Sequence, residues 1–583
     1  MRYAGWGILF ALLAGLITWG NFRARNLPDS EQFEYQYVQI HNPFFVREQN
    51  AEGEWIYRNA RPRSVPSTFP AVKSQNERRI FVVGGSVARW LETKRFEELL
   101  KESHPTLQFR IINCGMTSYD SYRESLVQKE LLHYEPDLII LFSGNNEFFN
   151  PVRLNLILYR LNKALSTFAS YTAAQEMYFK LKTKLKLPSH FGDPNTLRSF
   201  ERNINRMLRG AYLRGVPMAV CTLPTNFRDC PPRGNLPLYK MDFVEAWLYQ
   251  SKGELLRASK LWEAYVKRYP DSAHGYFQLA RSQEELGLQT SANSSYIEAV
   301  RLDSRGRCTP EKNEMLRRLA QEQHQILVDL EDWFGDRTPT GLPGGESLSD
   351  ECHWWPDLGP QICEQVLGAV KRHDLSFSNP VLEEKWYQDK SLPPERSPEE
   401  IRRERAVVLA GTSAAHGADK NSERGIFALL RAHALDPDVV TKERLEIWIP
   451  YMRNSGLSEE RLQNIKQALP WYAGEAYRRT GNFNEAQRRL LEALAADPMN
   501  ARIHFSLALL CYTNGDKPGT RRALETYSAA DAKHPSAEAY FRLLEEVLGP
   551  ISNPDAESES QPEARQQPDS SEPAGASQVD SSP

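Results

Sequence analysis

Three residue types that can carry out acyl transfer stand at informative positions in the sequence. Ser86 follows Gly84-Gly85 at the end of an apolar run, and Asp350 and His353 lie far downstream, three residues apart. A serine at a strand-to-helix turn projects its hydroxyl, and the helix N-terminus there favours negative charge. A histidine within hydrogen-bond reach can take the hydroxyl proton, and an aspartate can orient that histidine. Taken alone, the Gly-Gly-Ser sequence is a weak indication of a catalytic serine, since Gly-Gly-Ser after a strand is most often a tight turn.

Four apolar, β-rich segments separated by helical patterns must position these residues. The segments are residues 79–83, 109–112, 137–142 and 216–221. Such alternation predicts a parallel sheet that is covered by helices on both faces. Polar or glycine-rich residues follow the first three segments, at 84–86, 113–115 and 143–147. Because sites in open α/β sheets form at the carboxyl edge, we expect these residues to converge there.

Together, Ser86, the loop that begins at Asn113, Gly144-x-Asn146 and Asp350-x-x-His353 resemble the ordered blocks of the SGNH/GDSL hydrolase family. Gly359, six residues after His353, fits the last block. The resemblance covers about residues 75–150 and 205–375. It implies a flavodoxin-like α/β fold and a serine esterase in which Ser86 is the nucleophile, His353 the general base and Asp350 its orienting carboxylate.

The resemblance also implies an oxyanion hole. Its donors would be the Asn146 side chain and a backbone N–H of the 113–119 loop, with Gly115 and Ser118 as candidates. Aligned from Asn113, the family's oxyanion glycine falls on Ser118. Gly85 and Glu147 each replace an aspartate of the family pattern. We interpret the three departures as variant features rather than as inactivation.

A polar loop follows the fourth segment and contains Asn226, Arg228 and Asp229. On the site edge of the sheet these side chains could bind substrate. The alternative is a loop that is held by its own hydrogen bonds.

A period of 34 residues relates Gly253, Ala258 and Trp262 to Gly287, Ala292 and Tyr296. The same interval separates Gly481 from Gly515, and residues 432–437 match the end of a degenerate repeat. Small residues and aromatics at these spacings let paired helices pack closely, and the pattern resembles the tetratricopeptide repeat. The concave face of such a stack is a typical docking surface for a protein partner.

The two ends of the chain have distinct compositions. Residues 3–22 carry no charge and, as a helix, would rise about 30 Å, which is enough to cross a bilayer. We expect an uncleaved anchor that leaves the body periplasmic or extracytoplasmic, and a cleaved signal peptide is the alternative. The last residues are rich in Ser, Pro, Gln, Glu and Asp, which predicts a disordered acidic tail.

The predicted organisation therefore joins an α/β hydrolase-like domain to an all-α repeat domain. In order, the segments are a transmembrane anchor (1–25), a connecting segment (26–74), the hydrolase-like domain (75–375) with a helical repeat pair inserted at 240–305, a linker (376–400), a tetratricopeptide repeat domain (401–550) and the tail (551–583).

Composition excludes several other classes of protein. The chain has 583 residues with 72 Lys+Arg against 75 Asp+Glu, a balance that argues against a nucleic-acid binder. Seven cysteines are too few for a disulfide scaffold, and both one or two disulfides and buried free thiols remain open. Without Cys-x-x-Cys or paired-histidine spacing we predict no metal, and without a Walker loop or dinucleotide fingerprint no cofactor.

The leading functional expectation is a membrane-anchored, SGNH-like serine esterase that cleaves acyl esters through an acyl-enzyme on Ser86, with repeats that dock a protein partner. An O-acyltransferase acting on a cell-envelope glycan would use the same residues and is one alternative. A non-catalytic repeat scaffold is the other.

Overall fold

A computed structural model describes residues 43–61, 64–147, 195–371, 397–454, 457–530 and 533–551. The chain divides into two compact units, Met1–Asp497 and Pro498–Pro583. The predicted anchor lies outside the described residues, as do nearly all of the predicted linker and tail. Among the helices that are described, none combines the length and the apolar character needed to span a membrane.

A small antiparallel sheet precedes the main one, within the segment that the sequence indicated only as a connection. Its strands pair in the order β1-β2-β3 and are β1 (Phe45–Gln49), β2 (Trp55–Asn59) and β3 (Thr68–Pro70). Phe69 packs against Phe81 of the main sheet, with ring centroids 5.7 Å apart, and the Phe44 and Phe45 amides donate to Glu130. The small sheet therefore belongs to the folded body, because it buries aromatic rings against it.

The main sheet has five parallel strands in the order β5-β4-β6-β7-β8. The strands are β4 (Glu77–Gly84), β5 (Gln108–Asn113), β6 (Leu138–Phe142), β7 (Met218–Cys221) and β8 (Ile326–Val328). The first four coincide with the predicted segments, whereas β8 is only three residues long and gave no sequence pattern. Counted along the chain the order is 2-1-3-4-5, so it reverses direction between β4 and β6. Open α/β sheets bind ligands at such a switch point.

Helices cover both faces of this sheet, as the buried strands require. Even-numbered residues of β4, such as Ile80 and Val82, face one core, and Phe81 and Val83 face the other. The helices of this part of the chain are α1 (Ser86–Arg89), α2 (Thr93–Ser103), α3 (Ser121–Leu131), α4 (Asn195–Tyr212), α5 (Met241–Ser251), α6 (Leu255–Arg268), α7 (Ala273–Glu285), α8 (Gln289–Leu302), α9 (Pro310–Glu322), α10 (Leu330–Gly335) and α11 (Gly359–Lys371). Helices α2 and α11 cover the first face, and α3, α4 and α9 cover the second.

Helices α5–α8 form the two hairpins that the 34-residue period predicts between β7 and β8. Gly253 and Gly287 make the tight turns inside the hairpins with φ values of 85° and 77°, a region that favours glycine. Ala258 and Ala292 are fully buried at equivalent positions, where only a small side chain lets the paired helices approach.

A second helical region follows residue 396. In the first unit its helices are α12 (Pro398–Ala418), α13 (Ser422–Leu435), α14 (Lys442–Glu446), α15 (Trp448–Asn454), α16 (Glu459–Arg479) and α17 (Phe483–Ala496), with a 3-10 turn at Pro437–Val440. Ser397 and Glu400 form a capping box at the start of α12. The second unit contains α18 (Ala501–Thr513), α19 (Lys517–Ala529) and α20 (Ala537–Leu548).

Candidate active site

Ser86 opens α1 directly after β4, at the switch point of the sheet. The two glycines before it are required by close approaches. A Cβ atom at Gly84 would lie 2.2 Å from the Phe142 carbonyl oxygen of β6, and one at Gly85 would lie 2.4 Å from Asn146 Nδ2. Position 85 therefore requires glycine, because the Asn146 amide occupies the space that a side chain would need.

The structure brings His353 and Asp350 to Ser86, although 267 residues separate the serine from the histidine. His353 Nε2 lies 2.7 Å from Ser86 Oγ, and His353 Nδ1 lies 2.7 Å from Asp350 Oδ2. The other carboxylate oxygen, Asp350 Oδ1, accepts from the backbone N–H groups of Cys352 (2.9 Å) and His353 (2.8 Å). Asp350 thus fixes both the turn and the imidazole that the turn carries.

The pKa of each partner shifts towards the charged pair. Burial would lower the pKa of His353, but the Asp350 charge, its hydrogen bond and Cys352 outweigh burial and raise that pKa well above 6.5. Burial would raise the pKa of Asp350, but the His353 charge and hydrogen bond lower it below 3.8. An ionised Asp350 accepts the Nδ1 proton, which leaves Nε2 as the acceptor for the Ser86 hydroxyl.

Trp90 covers His353, and the sequence gave no signal for this contact. The two rings lie 4.6 Å apart with an interplanar angle of 31°. Trp90 is 44% exposed, so an apolar ring lies at the surface one helical turn after Ser86. An aromatic face over an imidazole favours the protonated ring.

Two of the three predicted oxyanion donors keep a proton that no acceptor in the described part of the chain takes. Asn146 Nδ2 donates one proton to the Tyr119 carbonyl oxygen at 3.0 Å and has a second to give. Ser118 has a φ of 63°, a backbone conformation that favours glycine. Among the described residues no acceptor takes the Ser118 N–H. The Gly115 N–H, in contrast, donates to Asn113 Oδ1 at 2.8 Å and is therefore engaged.

The residues of the candidate substrate loop hold the protein together in this structure. Asn226 Nδ2 donates to the Asp350 carbonyl oxygen at 3.0 Å, and Asp229 Oδ2 accepts from the Gly345 N–H at 2.7 Å. Arg228 contacts Thr340 at 2.9 Å and Glu346 at 3.2 Å. The alternative interpretation had the loop held by its own hydrogen bonds; one such bond joins the Asp229 N–H to Asn226 Oδ1 at 2.9 Å, and the other contacts reach residues outside the loop. Their effect is to support residues 343–357, which we name the histidine loop.

A buried polar cluster lies beneath the 143–147 loop and was missed by sequence reasoning. Glu147 Oε1 and Oε2 accept from the Ser121 N–H (2.9 Å) and Oγ–H (2.8 Å), and Glu124 accepts from Ser143 Oγ. Lys312 Nζ, 5% exposed, donates to the Gly144 carbonyl oxygen at 2.8 Å. Burial raises the pKa of Glu147 to about 7 and lowers the pKa of Lys312. In the sequence these charges resemble those of solvent-facing helix positions.

All seven cysteines lie in the described residues as free thiols, and six are buried. Donor atoms of Asp350, Cys352 and His353 lie within 4.8 Å of one another, which is a spacing that a metal ion could use. Burial raises the pKa of Cys352 to about 11, and a thiol that stays protonated is a poor metal ligand. The arrangement as it stands is a set of hydrogen bonds among these side chains.

Comparisons with known proteins identify the C-terminal region. Residues 472–535 match the model of the tetratricopeptide repeat family, whereas no curated protein matches the chain. Among solved structures, the crystal structure of TesA is 12% identical, covering 51% of this chain and 99% of its own at a TM-score of 0.23. Yeast Tom70 is 11% identical, covering 73% and 85% at a TM-score of 0.12. The region 472–535 is therefore built of tetratricopeptide repeats, which α16–α19 supply.

Proposed function

We propose that this chain is a serine hydrolase that cleaves acyl esters through an acyl-enzyme on Ser86. The observation that carries the proposal is the chain of two 2.7 Å contacts from Ser86 Oγ through His353 to Asp350. Its position at the switch point of a 2-1-3-4-5 parallel sheet supports the flavodoxin-like SGNH fold that the sequence blocks imply.

The proposed reaction uses Ser86, His353, the oxyanion donors and one water molecule. His353 Nε2 takes the proton of Ser86 Oγ as the oxygen attacks the ester carbonyl carbon, and the carbonyl oxygen becomes an oxyanion. The second Asn146 amide proton and the Ser118 N–H would stabilise that oxyanion. The oxyanion then collapses, the ester C–O bond breaks and His353 gives its proton to the leaving alcohol. In the second half a water molecule gives a proton to His353 and attacks the acyl-enzyme, the bond to Ser86 Oγ breaks, and His353 returns the proton to Ser86 as the acid leaves.

Two assays on full-length protein in detergent test the proposal. A fluorophosphonate probe should label Ser86 of the wild type, which should also hydrolyse short acyl esters of p-nitrophenol. Ser86→Ala should lose both signals, while Ser294→Ala, an exposed serine on α8, should keep both. Absence of labelling, or equal labelling of wild type and Ser86→Ala, would sink the hydrolytic proposal.

The acceptor decides between hydrolysis and transfer. The exposed ring of Trp90 beside His353 offers an apolar platform that suits a sugar as well as an acyl chain. If acyl transfer to an added glycan is faster than hydrolysis, the protein is an O-acyltransferase. This is the alternative in which the acceptor is a cell-envelope glycan.

The repeats favour a second candidate, a protein-binding scaffold, and their match to the tetratricopeptide family is the observation behind it. We propose that they dock a protein partner in either case. The two candidates differ in one result: fluorophosphonate labelling that disappears in His353→Asn counts against a scaffold without catalysis.

For location we propose that residues 3–22 anchor the protein with its body outside the cytoplasm. Twenty uncharged residues support this proposal. Deletion of residues 1–25 should release the protein from carbonate-washed membranes, and a deletion variant that stays in the membrane pellet would contradict it.

A further inference from the structure

Three arginines of the C-terminal helical region contact the histidine loop. They come from α12 and α13 and reach the loop before, within and after its Asp350–His353 segment. The loop is irregular along most of its length, so its position depends on such side-chain contacts.

Arg431 of α13 contacts the part that precedes Asp350. Its Nη2 donates to the carbonyl oxygens of Gly345 (3.0 Å) and Leu348 (3.2 Å). The guanidinium lies flat against the loop, since a Cβ atom at Gly345 would lie 2.3 Å from Arg431 Nη2. The Gly345 carbonyl oxygen also accepts from Trp355 Nε1 at 2.8 Å, so the same carbonyl is linked to the segment after His353.

Arg424 of α13 contacts the residue between Asp350 and Cys352. Its Nη1 lies 3.1 Å from Glu351 Oε1, and its Nη2 donates to Asp303 Oδ2 at 2.8 Å. Arg424 is fully buried, and Arg233 contacts the same Glu351 oxygen at 2.5 Å. The carboxylate next to Asp350 in sequence is therefore held by charge from two directions.

Arg405 of α12 contacts the part that follows His353. Its Nη2 donates to Asp357 Oδ2 at 2.7 Å, and its guanidinium carbon lies 4.8 Å from the centre of the Trp355 ring. The three arginines thus contact the chain before, within and after the Asp350–His353 turn.

We propose that Arg431, supported by Arg424 and Arg405, is a positioning residue that sets the distance of His353 from Ser86. This rests on the proposed function, because it assigns the C-terminal helices a part in the same acyl transfer. A displacement of about 1 Å in a catalytic group costs up to about 100-fold in rate. Helices α12 and α13 are on this view part of the active-site support and not an independent docking module.

The experiment perturbs one contact from both sides. Arg431→Gln removes the two hydrogen bonds that Nη2 donates to the loop, and Gly345→Ala displaces the guanidinium by filling its space. We expect each variant to lower kcat about 10- to 100-fold with KM within about twofold of wild type. Because both changes break the same contact, the double variant should be no slower than the slower single variant. Arg431→Lys should recover part of the rate.

Arg403→Gln is the matched control, since Arg403 lies on α12 in an exposed pair with Glu399, and within the described part of the chain it has no hydrogen bond or ion pair to the histidine loop. It should behave as wild type, and all variants should keep the wild-type circular dichroism spectrum and melt above the assay temperature. Rates for Arg431→Gln within twofold of wild type, or effects that multiply in the double variant, would overturn the proposal.

A second readout does not need activity. The His353 imidazole, assigned by its loss in His353→Asn, is titrated by NMR with isotope-labelled histidine. Arg431→Gln should move that pKa towards 6.5 as Asp350 shifts, and Arg403→Gln should leave it unchanged. An inert wild type whose His353 titration depends on Arg431 would refute the hydrolase and uphold the positioning role. An active wild type in which Arg431→Gln leaves the His353 titration unchanged would uphold the hydrolase and refute the positioning role.

Discussion

At the scale of single residues, His353 is subject to two opposed influences on its pKa. The imidazole is only 17% exposed, which disfavours its charge, while Asp350 Oδ2 at 2.7 Å favours it. The carboxylate prevails, so the pKa lies well above 6.5. A base must be neutral to accept the serine proton, and the proposed reaction therefore needs a pH above that raised pKa.

The first prediction concerns this pH dependence. We expect kcat/KM for a p-nitrophenyl ester to rise with pH through a limb centred above 6.5. Asp350→Asn removes the charge that raises the His353 pKa, so the limb should move to lower pH. The plateau should fall about 10⁴-fold, because an amide no longer fixes the required tautomer.

Asp332→Asn, an exposed position on α10, serves as the control and should leave both the limb and the plateau unchanged. A wild-type limb at or below 6.5, or one that stays in place in Asp350→Asn, would contradict the assigned roles of these two residues.

At the scale of elements, hydrogen bonds of two buried carboxylates, Glu147 in the loop itself and Glu124 in α3, join the loop after β6 to α3. Glu147 has a pKa of about 7, raised by burial first and by the Asp120 charge second, with the Lys312 charge opposing them. The pKa of Glu124, on α3, is raised by burial and by the charge of Glu147. The loop that carries Asn146 thus rests on groups that bind protons more tightly in the folded state than in the unfolded chain.

The second prediction follows from the sign of that shift. Between about pH 4.5 and 7 the folded state holds a proton on Glu147 that the unfolded chain has lost, so the free energy of unfolding decreases as pH rises. Over this range Glu147 should contribute a loss on the order of 2–3 kcal/mol. The Glu147→Gln side chain cannot titrate, so the free energy of unfolding should decrease less steeply with pH in this variant. A smaller decrease should persist, because the pKa of Glu124 is also raised.

Urea unfolding at pH 5 and pH 8, followed by tryptophan fluorescence, measures the effect. None of the 12 tryptophans lies beyond Trp471, so the signal comes from the first unit. Glu314→Gln on α9, with a side chain that is 76% exposed, is the control and should keep the wild-type slope. An identical slope in Glu147→Gln would show that the buried carboxylate is not what titrates.

Sequence patterns predicted the elements whose conformation is determined by residues close together in the chain. Composition was enough to predict the apolar strand that ends at Gly84-Gly85-Ser86. The 34-residue spacing was enough to predict the turns at Gly253 and Gly287. The strands β1–β3 gave no such signal, because Phe69 reveals its role only by packing on Phe81 of the main sheet, and Phe45 only by packing on Phe69. The same holds for Arg424 and Arg431, which in sequence look like ordinary charges on a repeat helix.

At the scale of the whole molecule, one buried charge cluster joins three distant parts of the first unit. Glu351 belongs to the histidine loop, Asp303 to the end of the inserted hairpins and Arg424 to α13. Arg424 Nε also donates to the Pro231 carbonyl oxygen at 2.8 Å. Burial lowers the pKa of the nearby His416 to about 4, so this histidine stays neutral and adds no competing charge.

The third prediction concerns the stability that depends on this cluster. Arg424→Met leaves Asp303 and Glu351 buried with one charged partner fewer, and breaking a buried pair costs about 3–5 kcal/mol. We expect urea unfolding to show a loss of that order, in a single transition that includes the sheet and α12–α17, because the lost contacts belong to both. Arg461→Met removes an exposed pair with Asp419 and should cost less than about 1 kcal/mol. Separate transitions for the sheet and the helices, or a loss no larger than that of Arg461→Met, would mean that the arginine cluster does not unite them, and that the histidine loop owes its position to the sheet alone.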